Sequence, residues 1–527
     1  MIRKIFYTSI LSSTSLFAGW GTPFQVYNGL PAFTPASGID SQGNGIVAYA
    51  LQQTQDTFVA ATQIVSGAPV SPVSFASGPV QRINISMNDS GNATVAWVEF
   101  DGVTSTNFIR FTSFLNNAWL PIVNGSDPAL NNAFANSLPG IAEDSSNNAI
   151  AFWALESPTG SGNYTVAYNL LQSGTWTGEN NLLTASTDFI PTAYLAGNSS
   201  GQGFAIWPST GLFVLQGSYY NGVTWTNNLS ISTDLLPSCN PPMDVVINSS
   251  QDALITWATQ TGGVSAILFS GNSYGLTEPV YLSAPNFVTQ YLATALNDAG
   301  DGAAAWISYN FITFESDLYI AFRLNNSWQP PLLLDTISEG INAFLSQVNI
   351  GLDNEGNAYV VWCRTDGGSN SEIDGSYLLK GATSPSPRVL ISTDNILTST
   401  APSLSVNGSG QTLVSWSSGP FGSALIEAAV GIPSSTLSPP SDLSGKQVKN
   451  RFATQYERAN VLTWSPSLDP SVQSYYIFRN GLQIGTVAAS SVPTYIDHNQ
   501  TTTPILYSVT AVNVHHDQSD PSTITLP

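Results

Sequence analysis

Charge, histidine and cysteine are all scarce in this chain. Only 9% of its 527 residues are Asp, Glu, Lys or Arg, against roughly a quarter in an ordinary soluble domain. The charge present is mostly of one sign: 34 acids face 13 Lys and Arg, a net −21. A phosphate backbone or an anionic lipid surface needs clustered cations, so binding to nucleic acid or to such a surface is excluded. Low charge does not mean disorder here, because 42% of the residues are hydrophobic.

The three histidines are His498, His515 and His516. Residues 20–432 therefore hold no Ser-His-Asp triad, no Cys-His pair and no His-ligated transition metal. Adjacent residues on a strand point to opposite faces, so His515-His516 reads as a solvated strand end. Two cysteines, Cys239 and Cys363, make neither a disulfide framework nor a zinc site. Export would permit a bond between them, and geometry decides it.

No apolar run is long enough to span a bilayer. The N-terminus sets Arg3-Lys4 before an apolar stretch, Ile5 to Phe17, and then Ala18. This is the pattern of a secretory signal peptide over residues 1–18. The expectation is a protein that is secreted, periplasmic or on the outer cell surface.

A short motif recurs eight times: polar turn residues with Gly or Asn, then an apolar run ending in an aromatic. The aromatics are Tyr49, Trp97, Trp153, Trp207, Trp257, Trp306, Trp362 and Trp416. Gly and Asn supply the positive φ of tight turns, and the run after each turn is small or β-branched, as in a buried strand. Each copy thus predicts a hairpin. A second landmark, Trp119, Trp176, Trp225 or Trp328, opens a later strand in four units, with a further strand between the two landmarks. Four strands in about 50 residues is the mark of a β-propeller blade. The chain accordingly resembles the β-propeller repeat proteins secreted by bacteria. The predicted fold is all-β: a propeller over residues 19–432, with eight four-stranded blades by the copy count and seven as the alternative. Trp20 to Tyr27 reads as the outer strand that completes the last blade and closes the ring.

A Pro- and Ser-rich linker is expected over 433–442. Beyond it, 443–527 resembles a fibronectin type III domain. The resemblance rests on Val461-Leu-Thr-Trp464, Tyr475 to Gly481, Tyr495-Ile-Asp497 and Ile505 to Asn513. It implies a β-sandwich with Trp464 between the sheets, Tyr507 as its corner tyrosine, and no chemistry of its own. The Asp-x-x-Gly-Asn turn is similar to the Asp-box of sialidases, but the Ser and Trp placement differs and no arginine triad matches. No sialidase residue is carried over.

The recurrent acids Asp40, Asp89, Asp144, Asp298 and Asp353 are expected to bond their own turn backbone. Repeating aromatics read as packing between blades. The less regular residues are the site candidates: Glu99, Asp101, Glu156, Tyr309, Glu315, Asp317, Arg364, Asp366, Glu372 and Asp374. They fall after the hairpin aromatics, in loops expected to join the second and third strands. Tyr274 is a further aromatic candidate. Paired carboxylates there would suit a glycosidase, or calcium held by Asp366, Glu372 and Asp374. No other cofactor is expected. Three functions fit: a non-catalytic binding protein for a protein or glycan, a carbohydrate-active enzyme, or a structural envelope repeat protein.

Overall fold

The computed structural model describes residues 20–526 apart from 28, 54–55, 76–77, 126–131, 134–138, 182–192, 210–213, 227, 233–235, 237–241, 283–287, 311, 339–342, 367–369, 385–387, 393–397, 421–422, 432–438, 453–454, 468–471, 481, 514–518 and 520. The signal-peptide stretch, Cys239, His515 and His516 lie outside the described residues, as does most of the expected linker. The described residues form strands and turns only, and among them no helix is long and apolar enough to cross a membrane.

Residues Trp20–Gly431 form one compact unit, and its architecture is a β-propeller. Eight sheets of four to six strands are described along it. Their first strands are Ala32–Ile39, Val80–Met87, Gly140–Glu143, Tyr194–Gly197, Met243–Ile247, Val288–Leu296, Ala343–Leu352 and Ser399–Val406. These lie side by side in a closed cycle, the last against the first. The eighth sheet takes its outer strand from the other end of the unit: Phe24–Tyr27 pairs antiparallel with Leu425–Gly431, and Trp20 bridges Gly431. In five of the other sheets the described outer strand comes in two pieces, such as Ala118–Trp119 and Val123–Asn124 around Pro121. Proline has no N–H to donate, so it is tolerated only at such an edge, which it also protects from further pairing.

The core lies between the sheets. Along the second strand of the second sheet, Ala93, Val95 and Trp97 pack toward the first sheet, while Ala96 and Val98 pack toward the third. Alternate side chains point to opposite faces, and both faces are buried. The repeat aromatics follow one rule: each packs in the cluster its sheet shares with the preceding sheet. All eight are at most 2% exposed.

The turn between first and second strands also repeats. Its opening residue accepts two backbone N–H bonds through Oδ1, as Asp40 does from Gln42 and Asn44, both at 2.8 Å. Asp144 and Asp353 do the same. Asp89 and Asp298 do not hold this place as expected; Asn88 and Asn297, one residue earlier, accept the bonds instead. Asp298 accepts from Ser249 N of the preceding sheet, at 2.8 Å.

An opening Asn also has an amide to donate, and it reaches the next sheet. Asn88 Nδ2 donates to Asp144 O (3.0 Å), Asn198 to Asn248 O (2.7 Å), Asn248 to Asn297 O (3.0 Å), Asn297 to Asp353 O (3.0 Å) and Asn407 to Asp40 O (2.8 Å). An opening Asp cannot donate. There the following main-chain N–H bonds across: Ser41 to Asp89 O (3.4 Å), Ser145 to Ser199 O (3.1 Å) and Asn354 to Gly408 O (2.9 Å). These eight bonds run around the ring in one direction.

The C-terminal residues form a second unit. A three-stranded sheet (Ser441–Phe452, Gln455–Ser465, Thr494–Asp497) and a four-stranded sheet (Leu482–Ala488, Val472–Arg479, Ile505–Asn513, Ser522–Leu526) make it up. Residues 441 and 442, expected in the linker, already belong to the first strand. Trp464 meets Tyr475 edge-on at 5.5 Å in a core with Ile477, Tyr507 and Val509. Tyr507 Oη donates to Asp497 Oδ2 (2.6 Å) and accepts from Asn460 Nδ2 (3.1 Å).

Asn407→Asp tests the turn circle where it closes. The variant keeps the Oδ1 acceptor and loses the bond to Asp40 O. Urea unfolding is expected to show a loss of about 1–2 kcal/mol; an unchanged midpoint would sink the assigned bond.

Candidate functional site

The candidate residues gather at the end of the propeller opposite the turns, where second strands finish and third strands begin. They lie on strands more than in loops. Glu99 and Asp101 end strand Ala93–Asp101, Glu156 ends Ala149–Glu156, and Tyr309 is next to last in Gly302–Asn310. Glu315 and Asp317 open Glu315–Leu324, Arg364 and Asp366 finish Ala358–Asp366, and Glu372 and Asp374 lie in Ser371–Leu378. Tyr274 is exposed but sits at the turn end, between Val264–Ser270 and Gly275–Leu276.

The isolated acids serve local structure. Asp101 accepts from the Thr104 hydroxyl and the Val103 N–H, which hold its carboxyl below the usual range. Glu156 accepts from Gly162 N at 2.7 Å, closing its own loop. Glu315 accepts from the Thr313 hydroxyl, and Asp317 from the Tyr319 and Thr336 hydroxyls.

Other acids cap buried tryptophans. An indole N–H is a donor only and needs an acceptor when buried. Trp97 Nε1 donates to Glu99 Oε2 (3.1 Å), which also pairs with Arg110 at 3.4 Å. Trp416 donates to Glu427 (3.1 Å), and Trp362 to Asp335 (3.1 Å). The indoles of Trp153, Trp257 and Trp306 meet no acceptor among the described residues.

Among the described residues one true cluster of the candidates forms, where the sixth and seventh sheets meet. Arg364 Nη1 donates to both oxygens of Asp335, at 2.9 and 2.8 Å. Arg388 bonds Glu372 (2.7 Å) and Asp374 (2.6 Å). Asp374 is fully buried, and burial pushes its carboxyl up to about 7 against the pull of Arg388. Glu372 and Asp374, two of the three residues expected at a calcium ion, thus already face a guanidinium. The side chain of Asp366 lies outside the described residues, and among those described no group of three His, Cys, Asp or Glu is placed to hold a metal ion. Cys363, beside the cluster, is a buried free thiol, its Sγ 3.4 Å from Ser399 O. Burial raises it to about 11, which leaves it unreactive as a nucleophile.

Sequence reasoning missed Asp335 and Arg388. The available signal was scarcity: residues 20–431 hold only Arg82, Arg110, Arg323, Arg364, Lys380 and Arg388 as cations. Three of these six, Arg364, Lys380 and Arg388, fall within 24 residues and mark an acid-rich junction. Also missed was Glu143, on the innermost strand of the third sheet and 4% exposed. Its Oε1 accepts from Thr94 of the neighbouring sheet, and its Oε2 has no partner among the described residues. Burial raises its carboxyl to about 8, with Asp144 adding to the shift.

No protein-family model matches the chain, and no curated protein matches it. Its structural neighbours include β-propellers. The Dos1 propeller aligns at 7% identity over 78% of this chain and 94% of its own, with a TM-score of 0.45. The β-propeller domain of the Trilobed protease from Pyrococcus furiosus aligns at 8% identity over 69% and 99%, with a TM-score of 0.40. Hadza microbial sialidase Hz136 aligns at 12% identity over 52% of this chain, with a TM-score of 0.36, and this chain spans 63% of it.

Two variants report on these carboxyls. Arg388→Ala leaves Asp374 buried without its cation and is expected to cost about 3 kcal/mol in urea unfolding; adding Asp374→Asn should restore part of the loss. Glu143 keeps its proton in the folded chain up to about pH 8, whereas an unfolded Glu releases it near pH ~4.3. The unfolded state therefore binds fewer protons in that window, and stability falls as pH rises through it. The melting temperature should drop from pH 5 to pH 8, and Glu143→Gln should lessen the drop; an identical drop in the variant would contradict the assignment.

Proposed function

We propose that the chain is an exported or cell-surface binding protein. In this reading an eight-bladed propeller, followed by a fibronectin type III-like module, holds a protein or glycan ligand on the end that carries Glu99, Glu156, Tyr309, Asp317 and Arg364, without turnover. The observation that supports it is the state of the acids. Glu99 is held by Arg110 and Trp97, and the acids of the cluster likewise by the chain's own cations and indoles, Asp335 by Arg364 and Trp362, and Glu372 and Asp374 by Arg388. A glycosidase needs two carboxyls facing one another across a sugar; here Glu99, Asp335, Glu372 and Asp374 face guanidinium groups, and Asp101, Glu156, Glu315 and Asp317 are held by backbone N–H or hydroxyl donors. The absence of histidine from residues 20–432 points the same way. The N-terminal pattern supports export, and the sparse charge and acidic balance suit an outer surface.

The test is a panel of labelled oligosaccharides applied to the purified chain and read by mass spectrometry for retention and for cleavage. Retention without cleavage, unaffected by EDTA, is the expected glycan outcome. If no sugar is retained, a stable protein partner in pull-downs is expected. Cleavage would overturn the reading in favour of a carbohydrate-active enzyme, and EDTA-sensitive retention would assign calcium to the 364–374 stretch.

A further inference from the structure

The junctions between sheets carry a second set of charges at the turn end, and register makes them comparable. The second strands of the fourth and seventh sheets each begin five residues after the turn opens, and their first residues pair with Tyr220 and Leu378 respectively. Two residues further on stand Gly222 and Lys380, which are therefore equivalent positions. In the seventh sheet, Lys380 Nζ reaches Asp301 Oδ2 of the sixth sheet at 2.6 Å. Its stem passes over Gly356, where a Cβ would lie 3.0 Å from Lys380 Cδ and 2.9 Å from Asp301 Oδ2. A lysine of the chain itself fills that junction.

At the junction of the third and fourth sheets the lysine is missing, because Gly222 holds its place. A pocket lies there, lined among others by Asp144, Asn148, Gly201, Tyr220 and Gly222. Gly201 takes the place of Gly356 here, and a Cβ on it would lie 3.8 Å from Asp144 Oδ2. The acids differ in position and in burial, Asp144 opening its turn and half-buried, Asp301 closing its own and buried. The Asp144 carboxylate is fixed in place: Oδ1 accepts from Ser146 N (2.7 Å) and Asn148 N (2.8 Å), and Oδ2 from Asn148 Nδ2 (2.9 Å). The Tyr220 ring, anchored by its hydroxyl to Gly222 O at 3.0 Å, gives the pocket an aromatic wall. A carboxylate so held, beside an aromatic surface, suits a cation on an apolar stem.

We propose that this pocket binds a lysine-type primary ammonium, seated on Asp144 as Lys380 is seated on Asp301. The net charge of −21 favours the approach of such a cation at low salt. The site lies at the opposite end of the propeller from Glu99, Glu156, Asp317 and Arg364, so it stands apart from the functional reading.

The experiment is a calorimetric and NMR titration of the purified full chain at low salt. The probes are n-butylammonium, Nα-acetyl-lysine N-methylamide and the corresponding norleucine derivative. The two ammonium compounds are expected to bind one saturable site, and the norleucine derivative none. Similar affinity for the two would assign the pocket to small amines; a preference for the lysine derivative would assign it to a peptide side chain. Asp144→Asn should weaken binding about tenfold with an unchanged melting temperature, since Asn opens the equivalent turn at 88, 198, 248, 297 and 407. Lys380→Ala should expose a second site on Asp301. Absence of saturable binding, or equal binding by Asp144→Asn, would overturn the proposal. A folded Lys380→Ala chain with no added site would overturn the equivalence behind it; if that chain does not fold, Asp144→Asn decides.

Discussion

No sheet of the propeller has a core of its own. Each apolar face is half of a junction, and the second strands are buried on both sides because each serves two junctions at once. A single sheet with two apolar faces would be insoluble in isolation, so the faces are satisfied only when the cycle closes. This makes the pairing of Phe24–Tyr27 with Leu425–Gly431 a condition for every other contact in the ring. The place of the large aromatic follows from the same constraint. It always stands on the second strand and faces the preceding sheet, where small alanines such as Ala48 and Ala50 leave room for it.

The polar counterpart of these junctions is the circle of turn bonds. An amide and a carboxylate are nearly the same shape, and both can accept the two N–H groups that shape the turn. Only the amide can also donate. Where the amide is absent, the next main-chain N–H supplies the bond across the junction, and an Asn four residues on, such as Asn148, donates back to the carboxylate. The turn thus tolerates either residue, while the acceptor on the far side is always a main-chain carbonyl.

The repeat was legible in the sequence because its signals are local: turn residues, a buried strand and an aromatic within about ten positions. The closing strand was legible by subtraction, since the eighth unit stopped one strand short. Asp89 and Asp298 resemble the opening acid in sequence but sit one residue late, because Asn and Asp serve equally as opener and the opening residue there is the Asn just before. The candidate acids were expected in loops because polarity follows an apolar run there; the ladder carries the strands through them, with Arg110 and Arg388 making the charge tolerable. Asp335 belongs to a different sheet from Arg364, and such a pairing leaves no local trace. The Gly222 pocket leaves none either, because it depends on comparing registers across four sheets.

The uniform direction of the turn circle has a consequence for descent. In this circle a unit meets its neighbour through a carbonyl that every amino acid possesses, so the circle itself requires no particular neighbour. Units of this kind can be duplicated, lost or reordered by recombination without breaking the circle, whereas side-chain pairs such as Lys380–Asp301 and Arg364–Asp335 tie only the units that carry them. The copies are then free to diverge where their junctions are not shared, as Gly222 and Lys380 have. Such a ring can acquire its specific features one junction at a time.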